Sequence, residues 1–314
     1  MEYIIDSTTS INATLEKMKD FDVLILKKGI YKEKVKVLNN NITIKGLDRD
    51  EVIIENKDFF HKIMPDFNEC NTFRTYTVYV GGDNVVLKNL TIKNLSTPSS
   101  KYGQACALHV DGDYFYADGI NIISAQDTLF TGPLPRDLQK RHIGFLEDTF
   151  RRDRKSYQKY INCYIEGDVD FIFGCATALF YNSRIHTIKR NKELDGDVGG
   201  YISAPSHEKE TKFGYLFYKC NLTSDEGVKK VFLSRPWRDY GTSCFIDCKY
   251  GSHIDPKGFA NWNKTERYNT ARYYEYNENI DITKRVSWAH MLTKDEKDKY
   301  IKDFIENDKF FELN

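Results

Sequence analysis

The segments Tyr160–Ile165 (YINCYI) and Phe180–Ile185 (FYNSRI) decide the fold, because they are two copies of one short pattern. Both start with apolar residues, pass through Asn at the third position and end on Ile. Related copies occur at four other places in the 314-residue chain: LKNLTI from Leu87, ADGINI from Ala117, FYKCNL from Phe217 and FIDCKY from Phe245. Such recurrence is typical of proteins that are built from stacked, similar units.

The third position of each copy is Asn, Gly, Lys or Asp. Asn and Gly adopt the left-handed backbone conformation at low cost, so this position predicts a sharp turn between two strand fragments. The unequal intervals between copies indicate loops inserted into some coils. We therefore predict an all-β solenoid, a right-handed parallel β-helix whose core is buried by the stacking of neighbouring coils. A β-sandwich with coincidentally similar strands is the alternative.

Both ends of the chain carry short helical patterns. Near the start, Ser10 precedes apolar residues at helical intervals and is a suitable N-cap. Near the end, Thr293 and Glu296 have the spacing of a capping box, and an amphipathic segment follows them. We predict short capping helices at both termini. The second helix is expected to cover the open end of the solenoid or to pack along its side, which would protect strand edges.

The repeat extends through most of the chain, so we predict one domain that spans residues 1–314. Its N-terminal cap is expected at about residues 1–20 and its helical tail at about residues 290–314. Residues 131–158 are polar and basic and interrupt two good copies of the repeat. This segment is predicted to be a long excursion beside whatever site the neighbouring coils form.

The charge balance and the cysteines restrict the possible partners. Lys plus Arg and Asp plus Glu both total 46, so the chain lacks the electrostatic footprint of a nucleic-acid-binding protein. No stretch is long and apolar enough to cross a bilayer, so we expect no membrane partner. The seven cysteines mostly stand singly in apolar segments, which favours free thiols in a reducing compartment. No CxxC or His/Cys cluster suggests a metal site, and no cofactor is predicted.

Four segments combine polar side chains with strongly apolar strands: GQACALHV from Gly103, SAQDTLF from Ser124, EGDVDFIFG from Glu166 and FLSRPWR from Phe232. A carboxylate in such surroundings is costly unless it is paired or hydrogen-bonded, and Arg235 in the fourth segment is a possible partner for Asp170 in the third. The chain has no G-x-S-x-G elbow and no HExxH. An enzyme built on these segments would therefore use carboxylates, amides and arginine.

The blocks QACAL, SAQDTLF, GDVDFIFG and LSRPW resemble the four signature blocks of the pectin methylesterase (pectinesterase) family, bacterial type, and occur in the family's order. The resemblance covers about residues 20–276 and implies the right-handed parallel β-helix of that family. It also implies an esterase that hydrolyses methyl esters of galacturonate residues in pectin, homogalacturonan or its oligosaccharides. The products would be a free carboxylate and methanol.

The resemblance assigns roles to five residues. Asp170 is similar to the family's nucleophile, which attacks the ester carbonyl, and Asp127 to the general acid that protonates the departing methanol and then activates water. Gln126 and Gln104 resemble the donors that stabilise the oxyanion. Arg235 resembles the residue that holds the nucleophile ionised. We expect Arg235 to lower the pKa of Asp170, and apolar walls with a negative neighbour to raise the pKa of Asp127.

Substrate contacts are assigned to three aromatic residues. Trp237 resembles the family's platform for a sugar ring, and Phe130 and Phe171 are candidates for similar contacts. Ser234 stands where the family usually has Gly, which is expected to narrow the cleft or to shift the following arginine. Asp168 lies outside the matched catalytic position and is interpreted as a turn residue.

The expected partner is methyl-esterified galacturonan or an oligogalacturonide, bound by a monomer. The segment MEYIIDSTTSINATLEKM does not resemble a signal peptide, so we expect a cytoplasmic protein if Met1 is the native start and a secreted one if a leader has been removed. Two other functions stay open. One is a different β-helix enzyme on uronate polymers, a lyase or a polygalacturonase; the other is a non-catalytic sugar-binding β-helix.

Overall fold

A computed structural model describes residues 1–66, 68–141, 155–192 and 194–313. In these residues the chain winds into a right-handed parallel β-helix, as predicted, with three parallel sheets along its length. Each full coil contributes one strand to each sheet, in the order A, B and C, and consecutive coils pair in register. Every ladder between named strands is parallel, because each strand pairs with its counterpart one coil away.

Sheet A has eleven described strands: β1 (Glu2–Ile5), β2 (Val23–Leu26), β5 (Thr43–Gly46), β8 (Val86–Lys88), β11 (Phe115–Asp118), β14 (Tyr157–Ile161), β17 (Thr177–Tyr181), β20 (Tyr215–Tyr218), β23 (Thr242–Ile246), β25 (Arg272–Tyr276) and β26 (His290–Met291). Sheet B has eight: β3 (Gly29–Lys32), β6 (Val52–Asn56), β9 (Thr91–Asn94), β12 (Asn121–Ile123), β15 (Tyr164–Gly167), β18 (Arg184–Thr187), β21 (Asn221–Ser224) and β24 (Lys249–Tyr250). Sheet C has seven: β4 (Val35–Val37), β7 (Val78–Val80), β10 (Leu108–Val110), β13 (Leu129–Thr131), β16 (Val169–Gly174), β19 (Gly200–Pro205) and β22 (Val231–Ser234).

The described helices are short, apart from the last one. They are α1 (Ile11–Leu15), α2 (Ser99–Tyr102), α3 (Arg136–Arg141) and α4 (Lys294–Asn307), with 3-10 turns at Thr72–Arg74, Arg267–Asn269, Ile282–Lys284 and Lys309–Phe311. None of the helices in the described part of the chain has the length and apolar character needed to span a membrane. The seven cysteines are all free thiols, and six of them are buried.

The predicted turn is present between sheets A and B. The third residue of every repeat copy has a positive φ of 48–61°: Asn89, Gly119, Asn162, Asn182, Lys219 and Asp247. Along this edge the Asn182 side-chain amide donates to Asn162 Oδ1 (2.7 Å), one coil away. The third position of each repeat copy is therefore a left-handed residue that turns the chain from sheet A to sheet B.

The inside of the solenoid is filled by apolar side chains that stack from coil to coil. Tyr160, Phe180, Phe217 and Phe245 form a column with ring centroids 4.8, 4.6 and 4.4 Å apart and nearly parallel planes. These distances match the spacing of about 4.8 Å between hydrogen-bonded strands. The repeated aromatic positions thus specify the core, since each ring finds its partner only on a neighbouring coil.

The N-terminal coil is closed by a strand and by α1. Ser10 is the N-cap, as predicted, and the Glu33 carboxylate accepts hydrogen bonds from Ser10 Oγ and from the Ile11 amide. The Tyr31 hydroxyl donates to the Ile5 and Lys27 carbonyl groups. Strand β1 adds an edge to sheet A that the predicted cap of residues 1–20 did not include, because four residues show no clear alternation.

The C-terminal helix α4 packs along the side of the solenoid. Its predicted capping box is present, with Thr293 Oγ1 and the Glu296 carboxylate each accepting from the other residue's amide. The buried face of α4 meets the outer face of sheet A, where Leu179, Leu216 and Phe304 belong to one apolar cluster. Of the two expected positions for this helix, the side of the solenoid is therefore the observed one.

The predicted excursion of residues 131–158 separates β13 from β14. Its first part turns into α3, and residues 142–154 lie outside the described part of the chain. Asp137 of α3 pairs with Arg238 across the surface through two hydrogen bonds of 3.1 and 2.8 Å. This pair ties the start of the excursion to the segment that follows sheet C, beside the predicted catalytic residues.

Candidate active site

The two predicted catalytic aspartates occupy equivalent positions on neighbouring coils of sheet C. Leu129 pairs with Ile172 in the parallel ladder, and Asp127 and Asp170 each stand two residues before these partners. The Asp127 amide donates to the Val169 carbonyl oxygen at 3.1 Å. The two carboxylates therefore project from adjacent coils although the excursion separates them in sequence.

Both aspartates have a left-handed backbone, with φ of 61° at Asp127 and 49° at Asp170. The pairing of β16 with β19 also shifts register between Val169 and Ile172, so Asp170 sits in a β-bulge. A bulge redirects a side chain that regular pairing would align with its neighbours. Non-glycine residues at the coil turns, such as Asp247, share this conformation, so what distinguishes the two aspartates is the burial of their carboxyl groups.

Arg235 binds Asp170 through two parallel hydrogen bonds. Its Nε donates to Asp170 Oδ1 at 2.8 Å and its Nη2 to Asp170 Oδ2 at 2.6 Å. The guanidinium lies between the rings of Tyr201 and Trp262, 3.8 and 4.3 Å from their centroids. A fork-to-fork pair held between two aromatic faces fixes the orientation of the Asp170 carboxyl group and places a positive charge against it.

Asp127 is the other member of the pair, and among the residues that the structure describes no arginine forms such a bidentate pair with it. Burial raises its pKa well above the ordinary value, and the Asp170 carboxylate raises it further, while Arg235 acts in the opposite direction. Only 9% of Asp127 and 6% of Asp170 is exposed, so solvent screens this interaction weakly. The predicted rise of the Asp127 pKa is confirmed, and the pair favours one ionised and one protonated carboxyl group.

Gln104 and Gln126 lie side by side at the same edge of sheet C. They form an isolated parallel bridge, with the Ala105 amide donating to the Gln126 carbonyl oxygen at 3.0 Å. Both side chains are half-buried, and Gln126 immediately precedes Asp127. The two glutamines therefore occupy paired positions on neighbouring coils next to Asp127, and their oxyanion-binding role stays a prediction.

Trp237 lies beside β16, the strand that carries Asp170, and we call the surface between Trp237 and the two aspartates the cleft. Its half-buried ring packs edge-on against Phe173, at 5.6 Å between centroids, and the Arg238 guanidinium covers it at 4.7 Å. Its backbone amide is fixed by the Pro205 carbonyl group at 3.0 Å. An indole that is held from behind and partly open to solvent suits a stacking contact with a sugar ring, which stays a prediction.

The other two predicted substrate contacts are placed elsewhere. Phe171 is fully buried inside the solenoid, and Phe130 is fully buried in an apolar cluster beneath the cleft, in contact with Phe173. Neither ring has surface to offer to a sugar in this structure. Side chains alternate along a strand, so the residue that follows Asp170 points into the core when Asp170 points out. Ser234 is also buried and bonds to Ser203, so it does not narrow the cleft.

Three residues with a clear place in the site had no such role in the sequence interpretation. Tyr201 and Trp262 supply the two rings around Arg235. Asp168, interpreted as a turn residue, is only 2% exposed and pairs with Arg190 at 3.0 Å. The sequence did contain a signal for Asp168, because it is an acidic residue next to apolar strands and stands two positions before the predicted nucleophile. Within the described ranges, no group of three or more His, Cys, Asp or Glu side chains is arranged to hold a metal ion.

Comparisons with known proteins agree with this fold. The sequence profile of the family named Pectinesterase matches residues 5–136 and 139–308. Pectinesterase QRT1 of Arabidopsis thaliana is 27% identical over 296 residues, which cover 91% of this chain and 70% of the plant protein. The solved pectin methylesterase from Yersinia enterocolitica is 25% identical, with a TM-score of 0.75 over 96% of this chain and 99% of that one. A pectin methylesterase solved in complex with hexasaccharide VII is 22% identical, with a TM-score of 0.78 over 98% of both chains.

The right-handed parallel β-helix and these matches define the class of protein as a carboxylic ester hydrolase that acts on carbohydrate. Within this class the chain belongs to the pectinesterase family, because the family profile spans nearly its whole length. Its structural neighbours include the bacterial form from Yersinia. Family and fold together support demethylesterification of pectin as its activity.

Proposed function

We propose that this chain hydrolyses methyl esters of galacturonate residues in pectin or its oligosaccharides, with Asp170 as nucleophile and Asp127 as general acid and base. The observation that carries the proposal is the asymmetry of two buried carboxyl groups on adjacent coils. Asp170 is held by Arg235 through two hydrogen bonds, whereas burial and the charge of Asp170 favour the protonated form of Asp127. Nucleophilic attack needs the first state and protonation of a leaving group needs the second.

In the first half-reaction an oxygen of Asp170 bonds to the ester carbonyl carbon, and the carbonyl oxygen becomes an oxyanion. The side-chain amides of Gln104 and Gln126 donate to this oxygen; one such donor contributes about 3–4 kcal/mol to transition-state stabilisation. The intermediate collapses when the bond to the methoxy oxygen breaks and Asp127 transfers its proton to that oxygen. The products are methanol and an anhydride between Asp170 and the galacturonate.

In the second half-reaction Asp127, now ionised, accepts a proton from a water molecule. The hydroxyl oxygen attacks the galacturonate carbonyl of the anhydride, and the bond to Asp170 breaks. This step regenerates the Asp170 carboxylate, the proton on Asp127 and a free galacturonic acid, which ionises in solution. The proton therefore returns to its starting residue, and no cofactor or redox partner takes part.

A saccharide substrate is supported by the position of Trp237 and by the relative that was solved with a hexasaccharide. The ring of Trp237 borders the cleft and is braced by Phe173, so it can stack on a pyranose face without reordering. We propose methyl-esterified oligogalacturonides or galacturonan as the ligand, bound along the outside of sheet C. The length of chain that the cleft accepts is the quantity to be measured.

The test is methanol release from methylated galacturonate oligomers of graded length. The wild type should release methanol, and Asp170→Asn should release it at least about 10³-fold more slowly, because the variant lacks the nucleophile. Asp247→Asn is the matched control, since Asp247 has the same left-handed conformation (φ 52°) at a coil turn. This control should keep wild-type activity.

Other outcomes favour the alternative functions. Products that absorb in the ultraviolet, from a new double bond, would identify a lyase, and shortened chains without methanol would identify a polygalacturonase. Tight oligosaccharide binding with no turnover would identify a non-catalytic binding protein. An Asp170→Asn variant as active as the Asp247→Asn control would refute the proposed nucleophile even if methanol is released.

A further inference from the structure

A third buried carboxyl group lies beside the two aspartates of the proposed mechanism. Asp168 stands at the turn into β16, two residues before Asp170, and its amide donates to the Ala125 carbonyl oxygen at 2.9 Å. Its Oδ2 pairs with Arg190 Nη1 at 3.0 Å and accepts a hydrogen bond from Ser99 Oγ. The side chain of Arg190 is 9% exposed, so the ion pair is largely shielded from solvent.

These contacts bring three separate segments to one point. Arg190 follows β18, and its Nη1 also donates to Ser99 Oγ at 2.8 Å, while its Nε donates to the Lys192 carbonyl oxygen at 3.0 Å. Ser99 is the first residue of α2, and its carbonyl oxygen accepts from the Gly103 amide at 2.7 Å. Gln104 directly follows Gly103 in the chain. The buried Asp168 carboxylate is thus connected through a single hydroxyl group to the segment that delivers an oxyanion donor.

We propose that Asp168, Arg190 and Ser99 form a positioning unit that fixes the segment ending in Gln104 and holds a third, compensated charge next to Asp127. This inference rests on the proposed function, because it assigns no chemistry of its own to the three residues. Asp168 does not touch the reacting atoms in the mechanism, so it acts through Gln104 and Asp127. The Asp168–Arg190 pair would let the site keep a negative group here without placing its whole charge on the general acid.

The electrostatic part of the proposal has a definite sign. Burial and the Asp170 carboxylate are the largest influences that raise the pKa of Asp127; Arg235 lowers it and Asp168 raises it. The thiol of Cys106, whose pKa is raised by burial, also interacts with Asp127 and stays neutral at working pH. Removing the charge of Asp168 should therefore lower the pKa of Asp127 and leave Arg190 without its counter-charge, which acts in the same direction.

Asp168 itself is under opposing influences. Burial is the largest influence and raises the pKa of Asp168 above its ordinary value, although Arg190 and Ser99 act in the opposite direction. Its Oδ1 is buried and has no hydrogen-bond partner among the described residues. A carboxyl group that is so poorly solvated is costly to keep for packing alone. Its retention beside Asp127 and Gln104 fits a role in the reaction better than a role in stability.

The test compares the pH dependence of kcat for four variants of the full chain, measured by methanol release. At high pH kcat should fall as Asp127 loses its proton, and this fall is the alkaline limb of the profile. Asp168→Asn should move the alkaline limb about 0.5 pH unit lower, which is about a threefold loss of kcat on that limb. The double variant Asp168→Asn/Arg190→Gln should return the limb toward its wild-type position, because both charges of the pair are then absent. Ser99→Ala should lower kcat about fivefold without moving the limb, since it removes a hydrogen bond and no charge.

Glu275→Gln is the matched control, because Glu275 forms an equally buried pair with Arg285 through bonds of 2.8 and 3.0 Å at the C-terminal end of the solenoid. It should lower stability and leave the limb unmoved. The proposal is overturned if Asp168→Asn leaves the limb in place, or if the double variant shifts it as far as Asp168→Asn does. The proposed function itself would be refuted by a different result: a wild type that releases no methanol, or an Asp127→Asn variant that is fully active.

Discussion

Two groups of left-handed residues in this molecule have similar backbones and differ in burial and in the groups they contact. At the turns between sheets A and B, Asn162 and Asn182 have φ of 55 and 48°, are exposed and bond to each other. In sheet C, Asp127 and Asp170 have φ of 61 and 49°, are buried and face charged groups on other coils. The first region turns the chain, and the second directs reactive groups into a cleft.

The difference shows which forces specify each region. A turn residue is selected by local conformational energy, because the left-handed region costs most side chains about 1–2 kcal/mol and costs Asn less. A buried aspartate is tolerated only because distant residues compensate for it, as Arg235 does for Asp170. Changes in the turns should therefore alter stability, and changes in sheet C should alter turnover.

The largest expected effect is at the general acid. Asp127→Asn should lower kcat about 10³-fold, because the amide can neither give a proton to methanol nor take one from water. At a turn the substitution can be made in the other direction, from Asn to Asp. Asn182→Asp should leave kcat unchanged, since that side chain is exposed at the turn between sheets A and B. Methanol release and thermal unfolding of both variants measure the contrast. Equal losses of activity would mean that the two regions are not functionally distinct.

The next effect is at the arginine. Arg235→Lys should lower kcat about 10²-fold, because an ammonium group cannot make two parallel bonds to Asp170 or lie flat between Tyr201 and Trp262. Arg285→Lys is the matched change at another buried fork-to-fork pair, with Glu275, and should reduce stability with kcat retained. A kcat of Arg235→Lys close to that of the wild type would show that only charge matters at this position.

A smaller effect is expected at the turns. Asn162→Ala should lower the free energy of unfolding by about 1–2 kcal/mol, because alanine is strained at positive φ and the hydrogen bond from Asn182 is lost. Asn162→Gly should recover most of the conformational part. Urea unfolding measures both variants, and methanol release should be the same for the two. If the alanine and glycine variants are equally stable, backbone strain does not explain the asparagine.

The smallest effect is a pH dependence of stability. The pKa of Asp127 is raised by burial above its ordinary value of 3.8, so its bound proton stabilises the folded state fully below that pH. This contribution is lost as the pH rises through the raised pKa. The melting temperature of Asp127→Asn relative to the wild type should therefore increase with pH. A difference that stays constant from acid to alkaline pH would show that Asp127 does not keep its proton in the folded protein.

The two regions also differ in how far the sequence alone predicted them. The turns were predictable because Asn, Gly and apolar neighbours repeat along the chain, and local conformation depends on nearby residues. The partnership of Asp170 with Arg235 was suggested by the cost of a carboxylate in apolar surroundings. The roles of the two aspartates came from the resemblance to a family, since their proximity arises from stacking between coils. Tyr201 was missed because a Tyr in a strand usually indicates packing. Phe130 and Phe171 were assigned to the cleft because a sequence does not show which face of a strand lies against the core.

The pairing of Asp127 with Asp170 on adjacent coils has a consequence for how such an enzyme can diversify. The strand spacing sets the distance between their coils, so the number of residues between β13 and β14 does not enter the catalytic geometry. The segment between β13 and β14 can therefore vary in length and sequence without changing that geometry. Evolution, or a designer grafting loops from relatives, can change that segment while Asp127 and Asp170 keep their places on the ladder.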